Sequence, residues 1–255
     1  MTADEKSSIA RFLDMTGDYL RDGYRRDRGR PVFTDDPTLP SSPEETAREV
    51  EGCTACSLAE GRRRGVPGEG VPNPLVLVIG EGPGSDEDAT GRPFVGRAGQ
   101  LLDRILAGIG LSRDKNCFIA NVVKCRPPGN RDPLPAEIAA CLPFLERQID
   151  LLKPLAILAL GRVAANTLLG DERGIGKLRG CFAEYRRRNA DSPAIPLLAT
   201  YHPSALLRDE TLKRPVWEDM KLLMGKLESL DPAYAGEIRD LPVKRSGSRQ
   251  GTQAG

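Results

Sequence analysis

Histidine is nearly absent from this chain: His202 is the only one in 255 residues. No apolar run approaches the roughly 20 residues that a membrane-spanning helix needs. The opening Met-Thr-Ala-Asp-Glu-Lys lacks the basic and then apolar stretch of a secretory leader, so a cytoplasmic location is expected. Net charge is only +1, which excludes a polybasic binder. Local basic clusters occur at Arg62-Arg63-Arg64, Arg186-Arg187-Arg188 and Lys213-Arg214, and by themselves they read as solvated loops. Dinucleotide and Walker phosphate fingerprints are also missing. What remains is an ordinary globular balance, 39% hydrophobic and 29% charged, at a length that suits one full domain with tails.

Six cysteines in a reducing compartment argue against disulfides and give weight to spacing. Cys53-Thr-Ala-Cys56 is a C-x2-C pair, and Cys125 and Cys141 follow across a proline-rich stretch. Four thiolates suit either zinc or an iron–sulfur cluster. A zinc ribbon usually carries a second C-x2-C, and its absence tilts the choice toward a cluster. Cys117 and Cys181 have no partner spacing and are expected to be buried thiols.

Four short runs rich in Val, Ile, Leu and Ala read as buried strands: 75–79, 118–123, 155–160 and 195–200. Helical patterns over 98–109, 135–152, 163–169 and 215–227 alternate with them. Such alternation predicts a parallel sheet with helices on both faces. Residues 7–26 have the spacing of an amphipathic helix, weakened by Gly17. The domains expected are an N-terminal extension over 1–47 (that helix plus a Pro-rich linker), a core over 48–230, and a disordered tail over 231–255. The extension's helix is either a docking element for a protein partner or a marginal appendage.

Ligands of open parallel sheets bind beyond the carboxyl ends of the strands. Nearly every chemically interesting residue falls there. Gly80-Glu81-Gly82-Pro83-Gly84 follows the first strand and lets backbone approach a phosphate or a flat base, or is simply a tight turn. The acidic run Ser85-Asp86-Glu87-Asp88 can cap a helix, ligate a metal or polarise a water. Phe94 is a core aromatic or a stacking platform for a base. His202, directly after the fourth strand, can donate to a developing oxyanion.

Together these residues resemble the type 4, iron–sulfur uracil-DNA glycosylases. The matching pieces are C-T-A-C at 53–56, G-E-G-P-G-S-D-E-D-A-T-G-R-P-F-V-G-R-A-G-Q-L-L at 80–102, N-V-V-K-C-R-P-P-G-N-R at 121–131, the cysteine at 141 and Y-H-P-S-A-L-L at 201–207. The resemblance implies an α/β fold, a three-layer α/β/α sandwich with a central four-stranded parallel sheet. It implies a [4Fe–4S] cluster on Cys53, Cys56, Cys125 and Cys141. It further implies a monofunctional hydrolase that acts on uracil in single- or double-stranded DNA, with no membrane association, and a monomer is expected. Phe94 would stack on the flipped uracil and Asn121 would bond its Watson–Crick edge. Glu81, and after it Glu87, would position the attacking water, unless Glu87 instead crowds a 5-methyl group. His202 would stabilise charge on uracil O2. The turns holding Gly82, Pro83 and Gly84, and Pro203 and Ser204, would grip phosphates, and Leu206 would wedge into the vacated stack. Gly82 departs from the alanine common in relatives.

Three alternatives stay open at this stage. A branch that traps uracil-DNA covalently has a nucleophilic histidine in a basic insert, but the stretch 125–133 here has none. A non-catalytic cluster protein would bind DNA or a polymerase through the leading helix. A zinc module would be colourless, whereas an iron–sulfur protein is brown.

Overall fold

The computed structural model describes residues 42–186 and 193–234. The helix expected over 7–26, most of the linker and the tail beyond 234 lie outside the described residues. In chain order the elements are α1 (Pro43–Gly52), α2 (Leu58–Gly61), β1 (Glu69–Gly70), β2 (Val76–Gly80), α3 (Ser85–Thr90), α4 (Arg97–Ala107), β3 (Cys117–Asn121), α5 (Pro135–Leu152), β4 (Ala156–Leu160), α6 (Gly161–Leu169), α7 (Ile175–Leu178), β5 (Phe182–Tyr185), β6 (Ile195–Thr200), α8 (Pro203–Arg208) and α9 (Lys213–Leu230).

The sheet runs β1-β3-β2-β4-β6-β5. Its four inner strands are parallel, as the sequence predicts. They are covered on both faces, so β2 and β4, and β3 as far as Ala120, read as apolar runs. The sheet has six strands rather than four, because β1 and β5 add antiparallel edges. β1 is two residues long and β5 is only partly buried, so neither has the hydrophobic run of a central strand.

Side chains alternate across the sheet. Leu77, Ile79, Ala120, Ile157 and Ala159 face one layer, where α5 contributes Leu145 and Ile149. Val76, Val78, Ile119 and Leu158 face the other, where α4 contributes Leu102 and Leu106 and α9 contributes Met220 and Leu223. Among the described residues no helix is long and apolar enough to cross a membrane.

Two boundaries differ from expectation. The division between residues 47 and 48 falls inside α1, whose Thr46 and Val50 are buried; Ser42 caps this helix by accepting from the Glu45 N–H at 3.2 Å. At the other end Tyr234 is buried beyond residue 230 and donates its hydroxyl to the Ile109 carbonyl at 2.6 Å.

Candidate active site and cysteine cavity

Strand connections reverse direction at β2, since β3 lies on one side of it and β4 on the other. The crevice that such a switch opens lies at the carboxyl ends, where β2 delivers Glu81, β3 ends at Asn121 and β6 leads to His202.

Phe94 is buried and sits at φ 52°, the left-handed region that a bulky residue seldom occupies. Its ring centroid is 5.6 Å from that of His202, tilted by 36°. Beneath it Gly80 has to lack a side chain: a Cβ there would come within 2.5 Å of both the Phe94 ring and Asn121 Oδ1. Asn121 is 1% exposed, and its Oδ1 has no hydrogen-bond partner. A buried amide oxygen without a donor costs on the order of 1–3 kcal/mol. Such a vacancy, directly beside an aromatic ring, suits a flat ligand carrying an N–H on its edge.

The His202 ring caps α8. Its Nδ1 accepts from the Ser204 N–H at 3.2 Å, and the Ser204 hydroxyl lies 2.8 Å from the same nitrogen. The proton of the neutral ring is therefore on Nε2, which is left as a donor. Burial, with Arg208 adding to it, pushes the His202 pKa down to about 4, against a smaller opposing effect of Glu87. Gly161, at φ 86°, approaches from β4, and a Cβ there would lie 3.0 Å from the His202 Cβ.

Glu81 is half-buried. Its pKa is raised, first by burial and then by Asp132, with Arg162 opposing. Asp132 and Arg162, which both act on Glu81, pair with each other on the surface. Glu87 is committed to the main chain: it accepts from the N–H groups of Gly84 at 3.1 Å, Val95 at 2.8 Å and Gly96 at 2.9 Å. This carboxylate ties the glycine turn to the loop that carries Phe94. The Gly84 and Ser204 amides, expected at phosphates, here donate to Glu87 and His202. Gly82 packs toward Val123, and a Cβ on it would stand 2.8 Å from the Val123 Cγ2.

The four cysteines come together. Cys53 follows α1, Cys56 lies in the next turn, Cys125 follows β3, Cys141 is on α5, and all four line one cavity. Among the described residues, no three His, Cys, Asp or Glu side chains converge as they would around a single metal ion. Burial pushes the Cys141 thiol up to about 11, and it also raises that of Cys125. Buried thiols of this kind become thiolates when a metal takes them. Donors are already directed at three sulfurs: the Ala55 N–H at Cys53 (3.4 Å), Arg62 Nη1 at Cys125 (2.9 Å) and the Lys124 N–H at Cys141 (3.2 Å). Four thiols around a shared space, with donors aimed at three of the sulfurs, are a lining that a thiolate-bound metal group fits.

The sequence model of the Uracil DNA glycosylase superfamily matches residues 67–221. The type-4 uracil-DNA glycosylase of Sulfurisphaera tokodaii is 43% identical over 183 residues, 70% of this chain and 81% of the relative. That of Thermotoga maritima is 44% identical over 181 residues, covering 70% of this chain and 91% of the relative. The chain belongs to the uracil-DNA glycosylase superfamily. The type-5 uracil-DNA glycosylase of Thermus thermophilus is also similar, at 36% over 159 residues, 55% of this chain and 69% of the relative.

Two expected positions need correction, one implied by the resemblance and one read from cysteine spacing. Leu206 is 2% exposed and packs in the core layer with α4 and α9, so it is not free to act as a wedge, whereas its neighbour Leu207 is 41% exposed. Cys181, expected to be buried, is exposed, while Cys117 is buried as expected.

Three further residues hold the surroundings together, and of these Arg113 carries no motif signal. Arg113 donates to the Pro93 carbonyl at 2.9 Å and the Phe94 carbonyl at 3.0 Å, and is itself held by Asp103 at 2.8 Å. Arg62, read as part of a solvated run, bonds Cys125. Asp88 is buried and accepts from the Arg63 N–H at 2.8 Å, a structural use of the acidic run.

Proposed function

We propose that this protein is a monofunctional uracil-DNA glycosylase, which hydrolyses the N-glycosidic bond of deoxyuridine in DNA, releases uracil and leaves an abasic site. The observation that carries this beyond family membership is the unpartnered Oδ1 of Asn121 beside the Phe94 ring. Uracil presents N3–H to that oxygen and O4 to the amide nitrogen. Cytosine presents a lone pair at N3 and an amino group at C4, so both contacts reverse and become repulsive.

With the base extruded onto Phe94, the Nε2–H of His202 donates to uracil O2. As the bond between C1′ and N1 breaks, its electron pair passes into the uracil ring and is shared with O2. A neutral donor already oriented at that oxygen stabilises the leaving anion. Water adds to C1′ and gives a proton to the Glu81 carboxylate, whose raised pKa suits a base. Glu87 acts by holding the glycine turn and the Phe94 loop together. Leu207 is the exposed apolar side chain next to the site that fills the vacated stack.

Cys53, Cys56, Cys125 and Cys141 hold a [4Fe–4S] cluster in this reading. The bound cluster supplies structural cross-linking between the turn after α1, the loop after β3 and helix α5, and no redox step. The protein works as a monomer in the cytoplasm, a compartment in which its six free cysteines stay reduced. Supporting these assignments are the shared cavity and the N–H donors on sulfur. The test is chromatographic detection of free uracil after incubation with uracil-containing DNA. Uracil in solution is expected, and its absence with a brown, folded protein would overturn the assignment.

A further inference from the structure

Lys124 is 1% exposed, and the two oxygens that its Nζ reaches are both neutral: the Asn121 carbonyl at 2.9 Å and Gln148 Oε1 at 2.6 Å. Gln148, buried on α5, is anchored by donating to the Pro67 carbonyl at 2.7 Å. A buried cation needs compensating negative charge. Lys124 also lines the cysteine cavity, and its own N–H donates to Cys141. Residues 121–125 thus form a short bridge. One end presents the unpaired amide oxygen and the other a thiol. Between them Val122 and Val123 are tied to the Gly80 and Glu81 carbonyls at 2.9 and 3.1 Å. Lys124 holds the first end through Nζ, on the Asn121 carbonyl, and reaches Cys141 across the cavity through its own N–H.

We propose that Lys124 is a positioning residue through which the cysteine-held cluster fixes Asn121 for uracil recognition. This rests on the glycosylase and cluster assignments above. The thiolates of the loaded cavity compensate the ammonium, and the ammonium clamps the Asn121 main chain where β3 ends. The side-chain amide then meets the base at a fixed height above Gly80. This gives the cluster a function in an enzyme whose chemistry has no redox step. Coupling of this kind is reciprocal, so uracil binding has to be felt at the cluster.

The experiment compares the wild type, Lys124→Met and Gln148→Met as brown, cluster-loaded proteins. Three quantities are measured: calorimetric affinity for free uracil, affinity for abasic-site DNA, and the response of the cluster's visible circular dichroism to uracil. Lys124→Met is expected to keep its colour and its abasic-DNA affinity while binding uracil about tenfold more weakly, the loss of a charge-assisted hydrogen bond. Its visible signal should no longer respond to uracil, whereas that of the wild type does. Wild-type uracil affinity in brown Lys124→Met would overturn the proposal, as would equal losses for uracil and abasic DNA. If Lys124→Met is colourless, brown Gln148→Met decides: weaker uracil binding supports the link and unchanged binding sinks it. Colourless protein from both variants would reduce Lys124 to cluster retention and also overturn it. A wild type that binds no free uracil would also overturn the link, whereas one that releases no uracil from DNA would instead remove the glycosylase assignment on which it rests.

Discussion

The Nδ1 of His202 accepts from the main-chain N–H of Ser204 at 3.2 Å, which leaves Nε2 as the ring's N–H donor. The short helix α8 thereby sets the tautomer of the single histidine. Replacing His202 with Ala removes one oriented donor and is predicted to slow single-turnover excision about 10²–10³-fold. Affinity for abasic-site DNA should stay at the wild-type level. Wild-type turnover by that variant would remove His202 from the mechanism.

Arg113 holds the Phe94 backbone in its left-handed conformation through the Pro93 and Phe94 carbonyls. Strain of that kind is on the order of 1–3 kcal/mol and persists only while neighbours enforce it. Arg113→Ala should relax Phe94 and weaken free uracil binding about tenfold or more, since that range corresponds to about 1–2 decades in affinity. Calorimetry with uracil reads this directly, and unchanged affinity would show that the clamp does not matter to the platform.

The acid limb of the rate profile is assigned to Glu81, whose raised pKa arises first from burial and then from Asp132. Asp132→Asn removes a neighbouring negative charge and should move that limb to lower pH. His202, at about 4 rather than the ordinary 6.5, contributes no limb near neutrality. A limb that stays fixed in Asp132→Asn would argue against Glu81 as the titrating base.

Much of this site was legible in the sequence because motif residues cluster at strand ends. The inner strands were legible as well, because burial on both faces leaves continuous apolar runs such as Val76 to Ile79. The edges were not, since Glu69-Gly70 is too short to carry a pattern. Leu206 and Leu207 are adjacent, and in a six-residue helix only packing decides which one turns inward. Arg113 acts on Phe94 from far along the chain, and no spacing rule connects them. Lys124 stood inside a recognised motif, yet its burial beside neutral oxygens becomes visible only once α5 brings Gln148 over it.

Glu137 joins the proline-rich loop to the start of α5. It accepts from Arg131 at 2.7 and 2.8 Å and from the Leu134 N–H at 2.7 Å. The Arg131 guanidinium is the main cause holding its pKa down to about 2 from the ordinary 4.5. A depressed carboxylate stabilises the fold above its unfolded value, and this contribution disappears as pH falls through the folded one. Stability is therefore predicted to drop between about pH 4.5 and pH 2. Glu137→Gln should cost about 1–3 kcal/mol at neutral pH and flatten that dependence in denaturant titrations. An unchanged acid profile would contradict the assignment.

The most direct test of the central claim uses an end-labelled oligonucleotide with one uracil, incubated with the purified protein, treated with alkali and run on a denaturing gel. Scission at uracil is expected, and none when thymine or cytosine occupies the same position. An intact strand would contradict it, and a labelled band retarded by bound protein under denaturing conditions would point instead to covalent trapping.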